Sequence, residues 1–565
     1  MAKKSGQSNP IEKAAGVLAA AGPDVLNNKA PVNLDTAAWA RNLQGNILNG
    51  HGRNHTVNIF LRLPEGEAGR RIVKQICPIV TTAAKQENER RQFRKFHIPG
   101  KLFCNIFLSA QGYRTLGHTD DELAKAFFEE EDRIRQTKSN FLDGMAAHAV
   151  EDLGDPATTK WEFGGKPDDI HAMLLVADDD ETFLQRASRA LIDYLEDHQC
   201  TLVWVERGTA LRTDSGEGIE HFGYVDGRSQ PLFLSADFQT FPGREEGAVL
   251  KADESIDPAR THENLGPDAA GGSMDIWNPF EPLDLVLRPD PLAKDPNCFG
   301  SYFVFRKLEQ NVRDFMIAEQ KLADELGLEG TERERAGAVA VGRFRDGTPL
   351  VLNRTDGLIP PKENDFRYDK AKDGKPDKNG LKCPFQAHIR KTNPRGDTVQ
   401  HLGGSEEGER SRRIARRGIT YGTRNRHPNA FQALDDLPSK DVGLLFMCFQ
   451  AGIRHQFAFM QRGWANNINF VTGEPGLDPV IGQRDHDHQT GKPVVVGKQK
   501  WRPEWNDPNS AEKEFGFDGF VKMKGGEFFF APSIPYLQGL APDNGKDEIK
   551  NALVAGLAGF DSGNA

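Results

Sequence analysis

Short apolar strands alternate with single amphipathic helices along this chain, and the same order occurs in both halves. Residues 56–63 (TVNIFLRL) and 102–108 place apolar side chains at every second position, which is the period of a strand with one buried face. Further strands are predicted at 172–176 and 201–205, and an apolar stripe at helical spacing lies between them at 184–195. This order predicts a sheet that is covered by helices.

The second half repeats the pattern. Strands are predicted at 302–306, 443–449 and 528–530, with helical stripes at 308–322 and 453–460. The segments 232–300 and 355–380 are rich in Pro, Gly, Asp and Lys and are interpreted as loop insertions. Two α+β units in succession are therefore expected.

Length and charge limit the class of protein. The chain has 565 residues, more than one core usually supports, so two core units are expected. Its formal net charge is −10 without a long basic run, which argues against a nucleic-acid partner because phosphate binding needs a clustered basic surface. No stretch reaches the ~20 apolar residues of a membrane span. The N-terminal run AAGVLAAAG lacks the flanks of a cleaved signal, so a cytoplasmic protein is expected rather than an exported one.

The six cysteines are scattered and form no CxxC pair. This spacing is wrong for an iron–sulfur cluster or a zinc ribbon, and too sparse for a disulfide framework. Buried thiols in a reducing compartment are the expectation.

Asp226 stands in the segment HFGYVDGRSQP, between Gly223 and Gly227. Glycines on both sides let the backbone turn tightly and approach a bound group, so this carboxylate could act on a ligand. The same pattern is also typical of a turn aspartate that accepts hydrogen bonds from its own backbone.

His388 follows the segment CPFQA and precedes IRKTNPR. A neutral imidazole is the usual axial ligand of haem iron in globins and peroxidases. The neighbouring Arg390, Lys391 and Arg395 could hold the carboxylates of a haem through charge-assisted hydrogen bonds. The alternative is a core histidine beside a solvated basic turn.

Arg416 and Arg417 precede a glycine in RRIARRGITYG. Adjacent arginines at such a position usually mark a solvated strand end. A fixed guanidinium could instead stabilise a developing anion in a pocket that holds little water.

The segment RDHDH at 484–488 consists of five consecutive ionisable residues, including Asp487 between His486 and His488. A hydrolytic metal site was weighed for this segment. Its spacing matches no zinc motif, and the surrounding residues are typical of a loop, which disfavours a metal there.

Taken together and in this order, these segments resemble the dye-decolourising peroxidase family of haem enzymes. GYVDG is similar to that family's GxxDG motif, AHIRKTNPR to the segment of its proximal histidine, and RRGITYG to the segment of its distal arginine. Similar stretches include LQGNIL at 43–48, GSYFVFRKLEQ at 300–310 and GLLFMCFQ at 443–450. The resemblance extends from about residue 42 to residue 540.

The resemblance implies an α+β fold of two ferredoxin-like units in tandem, with antiparallel sheets covered by helices and long loop insertions. The polar residues at 1–40 predict a flexible N-terminal lead-in. The two units implied by the resemblance are then expected at 41–220 and at 221–565, with haem bound by the C-terminal one. The oligomeric state is left open.

The resemblance also implies a peroxidase that contains haem b and uses hydrogen peroxide to oxidise bulky aromatic donors such as dyes and phenolics. Asp226 would be the distal acid–base residue, Arg416 the distal arginine that stabilises charge during O–O cleavage, and His388 the ligand of the iron. Leu444 and Phe446 would line the distal side. Arg416 is preferred to Arg417 because it matches the family position and because strand alternation turns its neighbour away.

An aspartate base has a consequence for pH. An unperturbed aspartate titrates near ~3.9 and a histidine near ~6.5, so the predicted optimum is on the order of pH 4–5.

Two features of the resemblance stay open. In the family a carboxylate usually accepts the second ring proton of the proximal histidine, yet the matching region at 450–456 contains no acid. The partner of His388 could come from elsewhere or be a backbone carbonyl. Bulky donors could also be oxidised at a surface aromatic that relays electrons; Tyr421 is a candidate by proximity, with an ordinary packed tyrosine as the alternative.

Two other functions are weighed against this one. A haem-binding or haem-handling protein without significant peroxidase turnover would need His388 but not Asp226 and Arg416 together. A metal hydrolase that uses His486 and His488 would be colourless.

Overall fold

The structure is a computed structural model of the chain. It describes residue 26 and residues 31–127, 139–166, 169–239, 276–357, 364–430, 432–483, 497–542, 545 and 547–558. The RDHDH segment, together with residues 240–275 and 358–363 of the predicted insertions, lies outside these ranges.

The strands follow the predicted alternation and are mostly longer than predicted. They are β1 His55–Arg62, β2 Phe103–Leu108, β3 Ala172–Asp178, β4 Thr201–Thr209, β5 Leu211–Arg212, β6 Gly218–Ile219, β7 Arg288–Pro289, β8 Phe299–Gln310, β9 Ala415–Arg416, β10 Ile419–Tyr421, β11 Gly443–Gln450, β12 Gln499–Trp501, β13 Lys513–Phe515 and β14 Val521–Ala531.

Most helices lie between these strands, and the last two follow β14. They are α1 Glu67–Ile76, α2 Ala83–Phe96, α3 Ala110–Thr115, α4 Asp120–Phe127, α5 Asn140–Asp143, α6 Met145–His148, α7 Glu181–Asp197, α8 Ser235–Gln239, α9 Val312–Glu325, α10 Glu334–Val341, α11 His388–Thr392, α12 Asp397–Leu402, α13 Glu406–Arg410, α14 Ile534–Gly539 and α15 Glu548–Ala558. Two π-helical segments, Ile453–Ala458 and Met460–Ala465, follow β11.

One antiparallel sheet of ten strands organises the protein. Its order is β10-β11-β8-β14-β2-β3-β1-β4, with β7 paired to β8 and β9 paired to β11. Each half contributes four strands to this path: β1, β2, β3 and β4 from the first half, and β8, β10, β11 and β14 from the second. When the four are numbered 1 to 4 along the chain, both halves have the spatial order 4-1-3-2. The halves are joined where β14 pairs with β2, at Phe530 and Leu108. The α+β class with two similar units is therefore confirmed, and the two units share a single sheet.

The outer edges of the sheet approach each other without a backbone ladder among the described pairings. The hydroxyl of Thr420 on β10 donates to the carbonyl of Thr209 on β4, and the Leu211 N–H donates to Thr420 Oγ1 at 3.2 Å. A side chain thus bridges the two ends of the strongly curved sheet.

Successive residues of each strand alternate between two apolar cores. Ile59 and Val304 enter one core, which the helices α1 and α7 cover, whereas Phe60 and Phe303 enter the other. Phe303 stacks on Phe107 of β2 with 4.0 Å between the ring centroids. Both faces of β1 are therefore buried, whereas the period-two pattern at 56–63 predicted a single buried face and marks only the residues of the first core.

One helix boundary differs from the prediction. Leu308, placed in a helical stripe, lies in β8, and α9 begins at Val312 after Asn311. The Asn311 side chain accepts the Asp314 N–H at 3.1 Å and so caps the helix. Leu308 satisfies the strand period as well as the helical one, which is why spacing alone misassigned it.

Three further observations complete the comparison with the sequence. Trp39 and Ala40, at the end of the predicted lead-in, are buried. The domain boundaries at 40 and 220 remain a prediction. All six cysteines are buried free thiols. Within the described ranges, every helix is too short or too polar to cross a membrane.

Candidate active site

Asp226 and Arg416 meet in one cavity although 190 residues separate them in the chain. Arg416 Nη1 donates to Asp226 Oδ1 over 2.6 Å. The same oxygen accepts the Gly227 N–H at 2.6 Å, and Gly227 has a φ of +82°, so the turn predicted from the glycines is present. Asp226 is thus both a turn aspartate and one half of an ion pair.

The backbone holds Arg416 in place. Its strand β9 pairs with β11 opposite Cys448, and its N–H donates to Gln230 Oε1 at 3.0 Å. Arg417 faces another way, because its Nε and Nη2 donate to the carbonyls of Asn46 and Ile47 at 2.6 Å and 2.8 Å. Only the first arginine of the pair lines the cavity.

The charge of Asp226 is set by two opposing effects. Burial raises the pKa of its carboxyl. The adjacent Arg416 guanidinium and the hydrogen bonds from Arg416 and Gly227 lower the pKa by more than burial raises it, so the pKa lies below its usual value. Asp226 is therefore a carboxylate at neutral and mildly acidic pH.

His388 lines the same cavity at the first residue of α11. Its Nδ1 lies 2.9 Å from Oδ2 and 3.2 Å from Oδ1 of Asp478. The Asp478 side chain is fully buried, whereas 24% of the His388 side chain is exposed to the cavity. With Nδ1 bound to a carboxylate, Nε2 is the nitrogen left for a ligand.

Asp478 is the hydrogen-bond partner of His388 that the sequence did not identify. Its Oδ1 accepts the N–H groups of Val480 and Ile481 at 2.8 Å and 2.9 Å. Burial raises the pKa of Asp478, but His388 and these backbone donors lower it more, so the group is ionised. The signal in the sequence was an Asp-Pro pair at 478–479, which predicts a turn and gives no indication of a partner 90 residues away.

The walls of the cavity are largely apolar. Leu444 and Phe446 of β11 line it together with Leu308 of β8, and Phe457 and Met460 from the π-helical segments extend the same wall. The cavity has a volume of about 220 Å³ and opens to the protein surface.

Of the three cations proposed near His388, only Arg395 reaches the cavity. Arg390 is fully buried and forms ion pairs with Asp377 and Asp397 at 2.8 Å and 2.7 Å. Lys391 donates to the carbonyls of Asn467 and Gly476. Both residues are committed to the protein interior, so their assignment to a cofactor was wrong.

Arg395 has no carboxylate partner among the described residues. Its guanidinium donates to the carbonyls of Asn364 and Phe366 and to the hydroxyl of Ser229 at 2.9 Å. Burial lowers its pKa, as does the nearby charge of Arg343, another residue of the cavity wall. This end of the cavity therefore favours an anionic group.

Among the described residues, no three His, Cys, Asp or Glu side chains cluster closely enough to hold a metal ion. His388 is a single potential ligand in a large apolar cavity with a cationic end. These features fit an iron porphyrin, which brings its own equatorial ligands and carboxylates, better than a metal held by the protein alone.

Comparisons with known proteins agree with this geometry. Residues 42–203 match the family described as DyP dimeric alpha+beta barrel domain. The chain is 42% identical over 513 residues to the multifunctional dye peroxidase DyP2 of Amycolatopsis sp., an alignment that covers 90% of this chain and 97% of that protein. A solved structure of DyP2 from Amycolatopsis sp. superposes with a TM-score of 0.74 over 90% of this chain and 99% of that one. A DyP-type peroxidase structure from Anabaena sp. gives a TM-score of 0.73 at 35% identity, covering 92% and 99%.

Proposed function

The chain belongs to the dye-decolourising peroxidase family, and from that premise we propose that it is a haem b peroxidase in which His388 would ligate the iron and Asp226 and Arg416 would act on hydrogen peroxide. The donors are bulky aromatic molecules such as dyes and phenolics. The observation that carries this proposal is the 2.6 Å ion pair between Asp226 and Arg416 in the cavity that also contains His388.

The residues of the cavity suit the cofactor. His388 presents Nε2 to the cavity because Asp478 engages Nδ1, and a carboxylate behind a ligating histidine increases its basicity. Arg395 offers a cation to a carboxylate of the porphyrin, and Leu444 and Phe446 offer apolar surface to its ring. When bound, the haem supplies the site of peroxide binding and the store of oxidising equivalents.

Asp226 performs the proton transfers in this proposal. Its carboxylate takes a proton from hydrogen peroxide and returns a proton to the oxygen that leaves as water. Because Arg416 and the Gly227 N–H stabilise its charged form, Asp226 remains a base under acidic conditions.

Arg416 stabilises the negative charge that develops as the O–O bond lengthens. Its backbone is fixed by β9 and Gln230, so the guanidinium needs little reorganisation when the charge appears. Leu444 and Phe446 exclude water on the neighbouring wall, which strengthens this electrostatic effect.

Two substitutions test the proposal. Asp226→Asn and Arg416→Leu should each lower peroxide-dependent oxidation of a dye by about 10²–10⁴-fold while the visible haem spectrum remains. Asp373→Asn is the matched control, because Asp373 accepts the Lys375 N–H at 2.9 Å in an exposed turn, and no arginine of the described residues pairs with it.

The results separate the candidate functions. Loss of activity with an intact haem spectrum supports the peroxidase, whereas full activity in both variants contradicts the distal assignment. A protein that binds haem but turns over no peroxide in any form would be a haem-handling protein. A colourless purified protein would contradict both.

A further inference from the structure

A second carboxyl group, Glu220, lines the cavity beside Asp226. Residues 218–226 form a hairpin in which Ile219 and Val225 face each other. The Asp226 N–H donates to Gly218 O at 3.0 Å, and the Glu220 N–H donates to Tyr224 O at 3.2 Å. In this register Glu220 and Asp226 are diagonal neighbours on one face, about 7–8 Å apart by backbone geometry.

The Glu220 carboxyl is held in one position by three donors. Its Oε2 accepts the Phe222 N–H at 2.7 Å and the side-chain amide of Gln310, and its Oε1 accepts the Tyr224 N–H at 3.0 Å. No ion pair of Glu220 is present in the described part of the chain. A carboxyl this firmly fixed cannot swing away from Asp226.

The charged groups around Glu220 come from two other elements. Asp226 faces it across the hairpin, and Arg424, in the segment after β10, is close enough for the two charges to interact. Arg424 Nε and Nη2 and Gln310 Oε1 are buried and meet no protein partner among the described residues. Buried polar atoms of this kind usually form hydrogen bonds to ordered water. Such water would bridge the Glu220–Gln310 pair and the Arg424 guanidinium.

Burial raises the pKa of Glu220 to about 7, and the charge of Asp226 contributes in the same direction. The three hydrogen bonds oppose this shift without overcoming it. In acid the group is neutral, and above neutral pH it becomes a second anion next to Asp226.

We propose that Glu220 is a positioning residue of the peroxidase reaction: it acts through the Asp226–Arg416 pair, which works while Glu220 is neutral and fails when Glu220 ionises. The inference rests on the proposed function. Arg416 stabilises negative charge on the peroxide, and a second carboxylate in the same cavity opposes that charge. Peroxidase activity should therefore fall as the pH rises through the range in which Glu220 ionises, which gives the alkaline limb of the pH profile.

Two variants change this ionisation in different ways. Glu220→Gln removes it and should raise kcat/KM for peroxide at pH 8 by about tenfold relative to the acid optimum, the order expected from one nearby unit charge. Gln310→Met removes a donor to the charged form, so the alkaline limb should move to higher pH. Glu527→Gln is the control, because Glu527 is also buried and accepts the Met145 and Phe528 N–H groups at 2.7 Å away from the cavity.

Infrared spectroscopy of the resting holoenzyme gives a readout that does not depend on turnover. In the wild-type minus Glu220→Gln difference, a protonated carboxyl band should disappear as the pH rises through about 7. In the Gln310→Met protein the same band should persist to higher pH, because a donor to the charged form is lost.

An alkaline limb that is unchanged in Glu220→Gln, or a difference spectrum without the titrating band, would overturn the proposal. If Glu220→Gln does not fold, a limb that fails to move in a folded Gln310→Met protein would do so instead. Full activity of Asp226→Asn would refute the proposed function and leave the infrared titration of Glu220 intact, so the two failures can be distinguished.

Discussion

The Nδ1 atom of His388 lies 2.9 Å from Oδ2 of Asp478, a buried carboxylate 90 residues further along the chain. Two backbone N–H groups hold Asp478 in its ionised form. The carboxylate therefore fixes the tautomer and the orientation of the imidazole and increases its basicity as a ligand.

Replacing Asp478 should weaken His388 as the proposed iron ligand without removing it. For Asp478→Asn we expect haem binding or peroxidase activity to fall by about 10–100-fold, the usual effect of losing the hydrogen-bond partner of a ligating histidine. The reduction potential of the iron, measured by spectroelectrochemistry, should rise because a less basic imidazole stabilises the ferric state less. Asp290→Asn is the control, since Asp290 is buried and accepts the Ser533 N–H outside the cavity. An unchanged potential in Asp478→Asn would contradict the role.

Peroxidase turnover should be greatest in acid. Burial raises the pKa of Asp226 but Arg416 lowers it more, so the carboxylate is present above its depressed pKa and is lost only as the pH falls through that value. We expect an optimum on the order of pH 4–5 in a kcat/KM profile with a phenolic or dye donor. Arg416→Leu should move the acid limb of the residual activity to higher pH. An optimum above pH 7 would rule against Asp226 as the base.

Arg416 and Arg417 form a matched pair of adjacent arginines. Arg416→Lys should lower kcat by about 10²–10³-fold, because lysine lacks the planar fork that reaches both Asp226 and the peroxide. Arg417→Lys should leave kcat unchanged and lower the free energy of unfolding by about 1–2 kcal/mol, since the hydrogen bonds of the Arg417 guanidinium to described residues all go to the backbone carbonyls of Asn46, Ile47 and Arg416. Steady-state kinetics and denaturant unfolding of both variants separate the effect on kcat from the effect on stability. If Arg417→Lys lowered kcat and Arg416→Lys did not, Arg417 would be the arginine that acts on the peroxide.

Tyr421→Phe should leave dye turnover unchanged. Tyr421 is buried in the sheet, its hydroxyl has no hydrogen-bond partner among the described residues, and Lys307 lies 4.8 Å from its ring centroid. A phenol without a proton acceptor and under a cation is hard to oxidise, so the packed-tyrosine interpretation is favoured over an electron relay. A severalfold drop in turnover of a bulky dye, with turnover of a small phenol preserved, would restore the relay.

Local patterns accounted for much of the fold. The period-two spacing at 56–63 predicted β1, and the continuous apolar run at 443–449 predicted β11 as a buried strand. Leu308 was misassigned because a single apolar residue at a strand end satisfies both periods. The joining of two units through Phe530 and Leu108 could not be read from spacing, since edge pairing depends on which strands meet in space.

The sequence by itself determined the α+β alternation and the segments that carry Asp226, His388 and Arg416, because strand periodicity and short motifs depend on neighbouring residues. Only the tertiary structure decided that Asp226 pairs with Arg416, that Asp478 supports His388, and that Arg395 rather than Arg390 faces the cavity. These contacts join residues far apart in the chain, and which cation finds a carboxylate depends on the packing around it. Position in the sequence does not contain that information.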